Sequence, residues 1–309
     1  MPLKSKKAKV NYKNVVNNKN LKKLTKKVNK YRKSLKSSLN KNKKSKVIVQ
    51  SLWVGDRLSR MEHYSIKSFL TLGFEYHLYV YNHVKNIPRG YKNLKVKDAG
   101  KIMSQKEIFD VKKTFLPFSD IWRYKMLYEK GNYWVDLDMI AVKMFDFKED
   151  YVFSSERTIQ KGAYASQSPM VANIGVLKAP KGSPFYLEAY EKCSEYNKRN
   201  KNEDKLKYMK MLKELIKKHN MGKYVKEPKM FCNLDWWHAK EAFEKYDRFP
   251  TKYGVIPPPL SSNFNGPYTV HFWRDKVKNV NGYDLDAHYD PECLWEKMLT
   301  MIDDKERQK

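Results

Sequence analysis

Between residues 46 and 81 the chain runs apolar strand, amphipathic helix, apolar strand with short joints, and this alternation constrains the fold more than any other feature. Lys46-Val47-Ile48-Val49-Gln50-Ser51-Leu52-Trp53 is a short apolar run that reads as a buried strand, ended by Val54-Gly55-Asp56. From Ser59 to Leu72, the residues Met61, Tyr64, Ile66, Phe69 and Leu70 recur at helical spacing, and Gly73 stops that helix. Glu75-Tyr76-His77-Leu78-Tyr79-Val80-Tyr81 reads as a second strand. Strand, helix and strand so joined form a βαβ unit, which predicts an α/β fold with a mostly parallel sheet flanked by helices. A third, shorter strand is expected at Lys92–Val96, and residues 98–117 read as irregular or weakly helical.

The next informative stretch is Phe118–Val142. Ser119 is a suitable N-cap, and Asp120 in the first turn suits the helix dipole. Ile121, Tyr124, Leu127 and Tyr128 supply an apolar face, and Gly131 ends the helix. Tyr133–Leu137 reads as the following strand. Asp136 and Asp138, two residues apart, share one face of an ideal strand and can reach one ligand from its end.

Further on, Tyr151–Ser155 and Asn173–Ala179 read as strands, with a loop over Glu156–Val171 that holds Gly162, Ser166, Ser168 and Pro169. Ser183–Tyr196 is expected as a helix, capped by Ser183 with Pro184 at its first position. Lys198–Lys223 is lysine-rich and helical, and reads as an insertion. Trp236–Lys245 is expected as a helix, Val255–Pro259 as an exit from the core, Tyr268–Trp273 as a last strand and Pro291–Ile302 as a closing helix. No internal repeat is visible.

Charge divides the chain in two. Of the formal net charge of +29, eighteen Lys/Arg lie in residues 1–46, which hold no Asp or Glu; removing them leaves +11 for the rest. Residues 1–46 therefore read as a solvated tail, and residues 47–309 as one folded domain. Within the tail, Leu21, Leu24, Val28, Tyr31, Leu35 and Leu39 fall on one helical face among lysines, a pattern suited to an anionic membrane surface or nucleic acid. Cys193, Cys232 and Cys293 form no paired motif and read as inert thiols in a reducing compartment. No apolar run reaches the roughly 18 residues of a membrane span, and no secretory leader is recognisable. A soluble, cytoplasmic protein is the expectation, peripheral at a membrane or virus-associated.

Asp-x-Asp suits a hard divalent cation such as Mn²⁺ or Mg²⁺, which prefers oxygen ligands and bridges to phosphate oxygens. Alone the motif is weak. Three features strengthen it: Asp120 and Arg123 sit one helical turn apart near the same sheet edge; the preceding strand is apolar and aromatic; and His271 closes a late strand, where an imidazole can complete a Mn²⁺ site. No Gly-rich phosphate loop and no nucleophilic triad motif is present.

The pattern Ser-Asp-x-x-Arg-Tyr-x-x-Leu-Tyr-x-x-Gly-x-Tyr-x-x-Asp-x-Asp over residues 119–138 resembles the signature of GT-A glycosyltransferases of the sugar-binding DXD class, namely glycosyltransferase family 32 and its capsular-polysaccharide relatives. Gln50-Ser51-Leu52-Trp53-Val54-Gly55, His77–Tyr81, Asn173-x-Gly175-Val176-Leu177-x-Ala179-Pro180 and His271-Phe272-Trp273 are similar to other parts of such proteins. The resemblance spans about residues 47–275. It implies a GT-A fold, Rossmann-like and with a mixed, mostly parallel sheet. It also implies a metal-dependent enzyme that moves a hexose or N-acetylhexosamine from a nucleoside-diphosphate sugar, UDP-linked by preference, to a glycan acceptor with retention of configuration.

By the same resemblance Asp138 is the direct metal ligand, and Asp136 contacts the ribose and the metal's water shell. Asp120 and Arg123 hold donor sugar and phosphate, Trp53 stacks on the base, His271 is the third protein ligand at the metal, and Asn173 lies near the donor sugar. Asn132 replaces a frequent second Gly, Ile174 replaces a frequent second Asn, and Arg274 replaces a frequent Asn after His-x-Trp, which leaves the acceptor side open. Trp236, Trp237 and Trp273 read equally as a sugar platform or as core. Two other readings of the chain stay open: a basic nucleic-acid-binding protein acting through its tail, which the modest domain charge weighs against, and a metal-dependent nuclease or nucleotidyltransferase using Asp136 and Asp138.

Overall fold

The computed structural model describes residues 47–158, 170–199, 206–245, 267–278 and 280–308. The amphipathic pattern of residues 1–46, most of the expected loop at 156–171, residues 200–205 of the expected insertion and Val255–Pro259 lie outside the described residues.

The βαβ expectation holds. Strand β1 (Ile48–Trp53) leads to helix α1 (Arg60–Leu72), then to β2 (Glu75–Val80) and β3 (Leu94–Asp98). Ser59 and Glu62 form a capping box at the start of α1, and Gly73 ends it in the left-handed conformation at φ 98°. Helix α2 (Leu116–Lys130) precedes β4 (Asn132–Val135) and β5 (Met139–Ala141). Then follow β6 (Val152–Arg157), β7 (Met170–Ala179), α3 (Pro184–Arg199), α4 (Leu206–Lys218), the short α5 (Pro228–Phe231), β8 (Thr269–His271), the short α6 (Arg274–Val277) and α7 (Leu294–Arg307).

Six strands form one sheet in the order β3-β2-β1-β4-β7-β6. The pairs β2/β3, β1/β2 and β1/β4 are parallel, and β4/β7 and β6/β7 are antiparallel. Strands β5 and β8 make a separate antiparallel pair. Both faces of the large sheet are covered, as a mostly parallel sheet requires. One face, with Leu52, Tyr79, Trp134 and Leu177, packs against Trp122 of α2, Phe185 of α3 and Leu212 and Leu215 of α4. The other, with Val49, Tyr76, Leu78 and Val135, packs against Phe69 of α1 and Phe145. A third cluster joins Val270, Phe272 and Ile140 to Trp295 and Leu299 of α7.

Several boundaries differ from expectation. Helix α2 starts at Leu116, with Pro117 in its first turn, so Ser119 lies inside the helix and Asp120 is buried and not at an exposed first turn. Proline's fixed φ is suited to a helix start, and this outweighs the serine two residues on. Strand β4 stops at Val135, which puts Asp136 to Asp138 in the turn between β4 and β5 and not on one strand face. Residues 236–245 form two 3₁₀ turns, Trp236–His238 and Lys240–Phe243, where an α-helix was expected. Helix α4, read as an insertion, buries Leu212, Leu215 and Ile216 in the main core.

One glycine is required by packing. Gly131 joins α2 to β4 at φ 65°, ψ −154°, a region essentially closed to other residues. A Cβ there would lie 2.5 Å from the Lys181 backbone nitrogen. Strain and overlap together put the cost of Gly131→Ala at roughly 3 kcal/mol. The expected fall in Tm is about 6–12 °C by thermal unfolding. The next residue, Asn132, has φ 66°, which an Asn tolerates in place of a second Gly.

Candidate functional site

The parallel strands β1 and β4 end side by side, since Gln50 is opposite Trp134 in the register. Ser51 Oγ donates to the Val135 carbonyl at 2.6 Å and ties the two ends together. The chain then turns through Asp136-Leu137-Asp138 into β5, where Met139 pairs with His271 of β8. Thus β8, from the far end of the sequence, delivers His271 beside the two carboxylates. One ligand atom from each of Asp136, Asp138 and His271 lies within 4.8 Å of the others.

Asp138 is held on both sides. His271 Nε2 is 3.1 Å from Asp138 Oδ1, and the Arg274 backbone N–H donates to Oδ2 at 2.9 Å. Burial works against ionisation of Asp138, but the charge and hydrogen bond of His271 and the Arg274 N–H outweigh it and pull its pKa down to about 2. Burial likewise works against protonation of His271, yet Asp138 raises its pKa well above the ordinary imidazole value. Trp273 stacks on the His271 ring with centroids 3.8 Å apart, and its indole N–H donates to the Leu234 carbonyl at 2.8 Å. Trp273 sits in the left-handed region at φ 53°, ψ 54°, unusual for a bulky residue. That turn is what aims the next N–H, of Arg274, at Asp138.

Asp136 has a different environment. Its Oδ1 accepts from Arg123 Nη1 at 2.8 Å and from the Trp134 indole N–H at 2.8 Å. Burial raises its pKa against the pull of Arg123, and the like charge of Asp138 adds to the rise. Arg123 is 2% exposed, and all five of its N–H groups have protein partners. Nε donates to Ser119 O at 3.2 Å, Nη1 to Asp136 and to Ile174 O at 2.9 Å, and Nη2 to Ser119 Oγ at 3.1 Å, with Asp120 Oδ1 2.9 Å away. The guanidinium also lies over the Trp134 ring, 4.5 Å from its centroid. Asp120 is fully buried. In this arrangement the Arg123 guanidinium bridges Asp120 and Asp136 beneath the carboxylate turn.

Trp53 ends β1 half-buried at the same edge, with the Arg274 guanidinium 5.8 Å from its ring centroid. Asn173, 3% exposed, donates to Glu156 Oε2 at 3.1 Å and to Cys232 Sγ at 3.2 Å, and Cys232 Sγ in turn is 3.6 Å from His271 Nδ1. Asn173 therefore reaches the site through Cys232. Trp236 and Trp237 are half-buried and in edge contact at 5.3 Å.

Four residues of this constellation escape sequence reasoning. Trp134 had a usable signal, since it is two residues before Asp136 on an alternating strand. Arg274 follows His-x-Trp directly. Cys232 and Glu62 had none. Glu62, fully buried, accepts from Arg274 Nε at 2.5 Å and so helps to hold the segment that caps Asp138.

Two carboxylates and an imidazole converging at a strand end match the oxygen-rich, nitrogen-tolerant preference of Mn²⁺, and less closely that of Mg²⁺. Residues 15–157 match the family described as the glycosyltransferase sugar-binding region containing the DXD motif; the match includes Asp120, Arg123, Asp136 and Asp138 and ends before Asn173 and His271. Among solved structures, the chain is similar to the PaToxG glycosyltransferase at 14% identity, covering 57% of this chain and 70% of that one with a TM-score of 0.41. It is also similar to the apo-form glycosyltransferase GlyE of Streptococcus pneumoniae TIGR4 at 12% identity, covering 85% of this chain and 63% of that one, again with a TM-score of 0.41. A search of the curated proteins finds no match. Residues 15–157, with Asp136-Leu137-Asp138 as the motif, are thus similar to the glycosyltransferase sugar-binding region that contains the DXD motif.

Proposed function

We propose that the protein transfers a hexose or N-acetylhexosamine from a nucleoside-diphosphate sugar, UDP-linked by preference, to a glycan hydroxyl, with Mn²⁺ or Mg²⁺ held by Asp136, Asp138 and His271. The convergence of those three ligand atoms within 4.8 Å, at the edge where the DXD region ends, carries this reading. A divalent ion bound there supplies Lewis-acid stabilisation of the departing diphosphate. The protein's own part is positioning. Arg123 and Trp134 fix Asp136; Arg274 N–H, supported by Glu62, fixes Asp138; Cys232 and Trp273 fix the imidazole of His271. In this reading Trp53 offers its ring to the donor base, and Asn173 borders the donor sugar. Trp236 and Trp237, half-buried, would offer an aromatic surface to an acceptor ring. Asp136 is already committed to Arg123, and Asp138 to His271, so neither is free to act as a nucleophile. Retention of configuration rests on the family resemblance, and without a free nucleophile it would proceed by front-side attack of the acceptor hydroxyl. Residues 1–46, with eighteen basic side chains and no acidic one, would tether the enzyme to an anionic membrane surface.

The direct test is a screen of nucleotide-sugars with Mn²⁺, scored by donor hydrolysis and by transfer to oligosaccharides. Donor turnover that disappears with chelator supports the reading. No turnover of any donor by the wild-type protein overturns it.

Two further outcomes follow from the geometry. With its pKa raised well above 6.5, His271 is protonated at neutral pH in the metal-free protein and must lose that proton to become a ligand. Titration calorimetry with Mn²⁺ at pH 7, repeated in buffers of different protonation enthalpy, should show about one proton released per ion. Affinity should rise by about tenfold per pH unit until the His271 value is passed. Second, Cys232→Ala removes the partner of His271 Nδ1, and Mn²⁺ affinity should fall by about 10- to 100-fold. Cys232→Ser, which keeps an acceptor, should fall less.

A further inference from the structure

We infer that the protein has a second binding site, for a phosphate-bearing ligand, in a cavity of about 490 Å³ remote from the carboxylate turn. The cavity opens on the α2 side of the large sheet, where β4 begins. Its lining includes Lys130 and Asn132, from the α2–β4 turn, and Lys97 and Lys101, from the end of β3 and the turn after it. Asn132 precedes Asp136 by four strand residues, about 13 Å of extended chain, so the cavity is separate from the metal-ligand cluster.

Two segments distant in sequence, residues 97–101 and 130–132, bring their cations to one concavity, and its floor is not charged. Tyr79 and Gln50 form that floor, both buried, and Val96 and His77 complete the wall. Burial lowers the pKa of His77, and its Nε2 lies 2.8 Å from Glu75 Oε1, so at neutral pH the positive charge comes from the lysines alone. The lone carboxylate in the lining, Asp98, accepts the Gly100 N–H at 2.8 Å as the cap of the next turn. Among the described residues neither Lys97 nor Lys101 has an ion pair, and Lys130 has only Glu129, at 3.7 Å. Elsewhere on the domain many surface lysines are paired at 2.6–2.8 Å, among them Lys67, Lys85, Lys226 and Lys229. Three ammonium groups outnumber the one carboxylate of the lining, and a multivalent anion offsets that excess of positive charge. The volume is that of a small-molecule site and exceeds the needs of one phosphate. An aromatic floor beneath a cationic rim fits a phosphate ester whose organic part lies against Tyr79.

Pyridoxal 5′-phosphate is a suitable probe, because its phosphate seeks the cationic rim and its aldehyde condenses with a nearby lysine amine, releasing water. Borohydride then reduces the imine to a stable amine for peptide mapping. The full-length protein would be labelled with chelator present, with and without inorganic pyrophosphate. Labelling at Lys97, Lys101 or Lys130 should exceed that of other exposed lysines by at least tenfold and be suppressed by pyrophosphate. Even labelling over the surface, or labelling of these lysines that pyrophosphate leaves unchanged, overturns the proposal.

A pair of variants provides the second measurement. Pyrophosphate binding by calorimetry should weaken at least tenfold in the Lys97→Ala/Lys101→Ala/Lys130→Ala protein. It should stay unchanged in Lys210→Ala/Lys213→Ala/Lys217→Ala, which removes as much charge from the exposed face of α4. An equal loss in both, or in neither, overturns the proposal. Donor hydrolysis by the pocket variant should match the wild type, so this test and the donor screen fail independently.

Discussion

Asp138→Asn should abolish metal-dependent donor turnover while leaving the fold intact. The carboxamide can still accept the Arg274 N–H, which now meets Asp138 Oδ2 at 2.9 Å, so the chain turn is preserved. What disappears is the negative charge that faces both the metal position and His271. Loss of a direct ligand from a three-residue set should lower turnover by at least about 10³-fold, equivalent to about 4 kcal/mol. Manganese affinity should fall in parallel in calorimetric titration. Stability provides an independent check with a definite sign. The Asp138 pKa is depressed from 3.8 to about 2 in the folded protein, so its stabilisation is present above the ordinary carboxylate value. It is lost as pH falls from about 4 toward 2. The asparagine variant should lack that part of the acid-dependent loss in Tm. Wild-type turnover in Asp138→Asn would remove Asp138 from the site.

Arg123→Met should produce the largest loss of stability of any single substitution near the site. Its guanidinium is almost wholly buried and ion-paired with Asp120 at 2.9 Å and with Asp136 at 2.8 Å. Methionine fills much of the volume but leaves Asp120 with its main counter-charge gone and Asp136 with one hydrogen bond fewer. Breaking a buried ion pair by deleting one partner costs about 3–5 kcal/mol, because the remaining charge is uncompensated. For a domain of this size that corresponds to a fall in Tm of about 6–20 °C. Arg123→Lys should recover little, since one ammonium cannot reproduce five N–H bonds in a fixed plane. Arg123→Met/Asp120→Asn should recover part of the loss. A Tm within 2 °C of wild type for Arg123→Met, against the expected fall of several degrees, would mean that the network contributes little.

Sequence reasoning reached the sheet through its strongest local signals. The strands at Ile48–Trp53 and Glu75–Val80 are continuous apolar runs, and the helix between them has a capping box and a glycine stop, so local preference and global fold agree there. It failed where local signals compete. Ser119 has the chemistry of a cap, but the chain enters the helix one turn earlier through Leu116-Pro117. Leu137 continues the apolar alternation of β4, so nothing local shows that the strand stops at Val135 and the two acids sit in a turn. Residues 236–245 have enough apolar residues for an α-helix, yet they fold as two tighter turns.

The site residues follow the same division. The proximity of Asp120 to Arg123 is an i,i+3 relation that sequence shows directly. The contact of Arg123 with Asp136 depends on how α2 docks against β4, and spacing does not encode that docking. Without it, the buried pairing of Arg123 with Asp136 cannot be foreseen from the sequence. Cys232 is read as inert because a buried thiol in a core and one against a histidine look alike in sequence.

The pairing of β5 with β8 has a consequence for how the protein is made. The contact between Asp138 and Arg274 joins positions 136 residues apart, and until it forms neither His271 nor the Arg274 N–H is near the carboxylates. Closing so long a loop is slow compared with forming the local βαβ unit. On a ribosome the acids therefore emerge, and their strand can pair, well before their partners exist. In the proposed metal-binding reading, capacity to capture a cation would arise only once the C-terminal segment has returned to the sheet, and cation uptake would be a clock for the last step of folding.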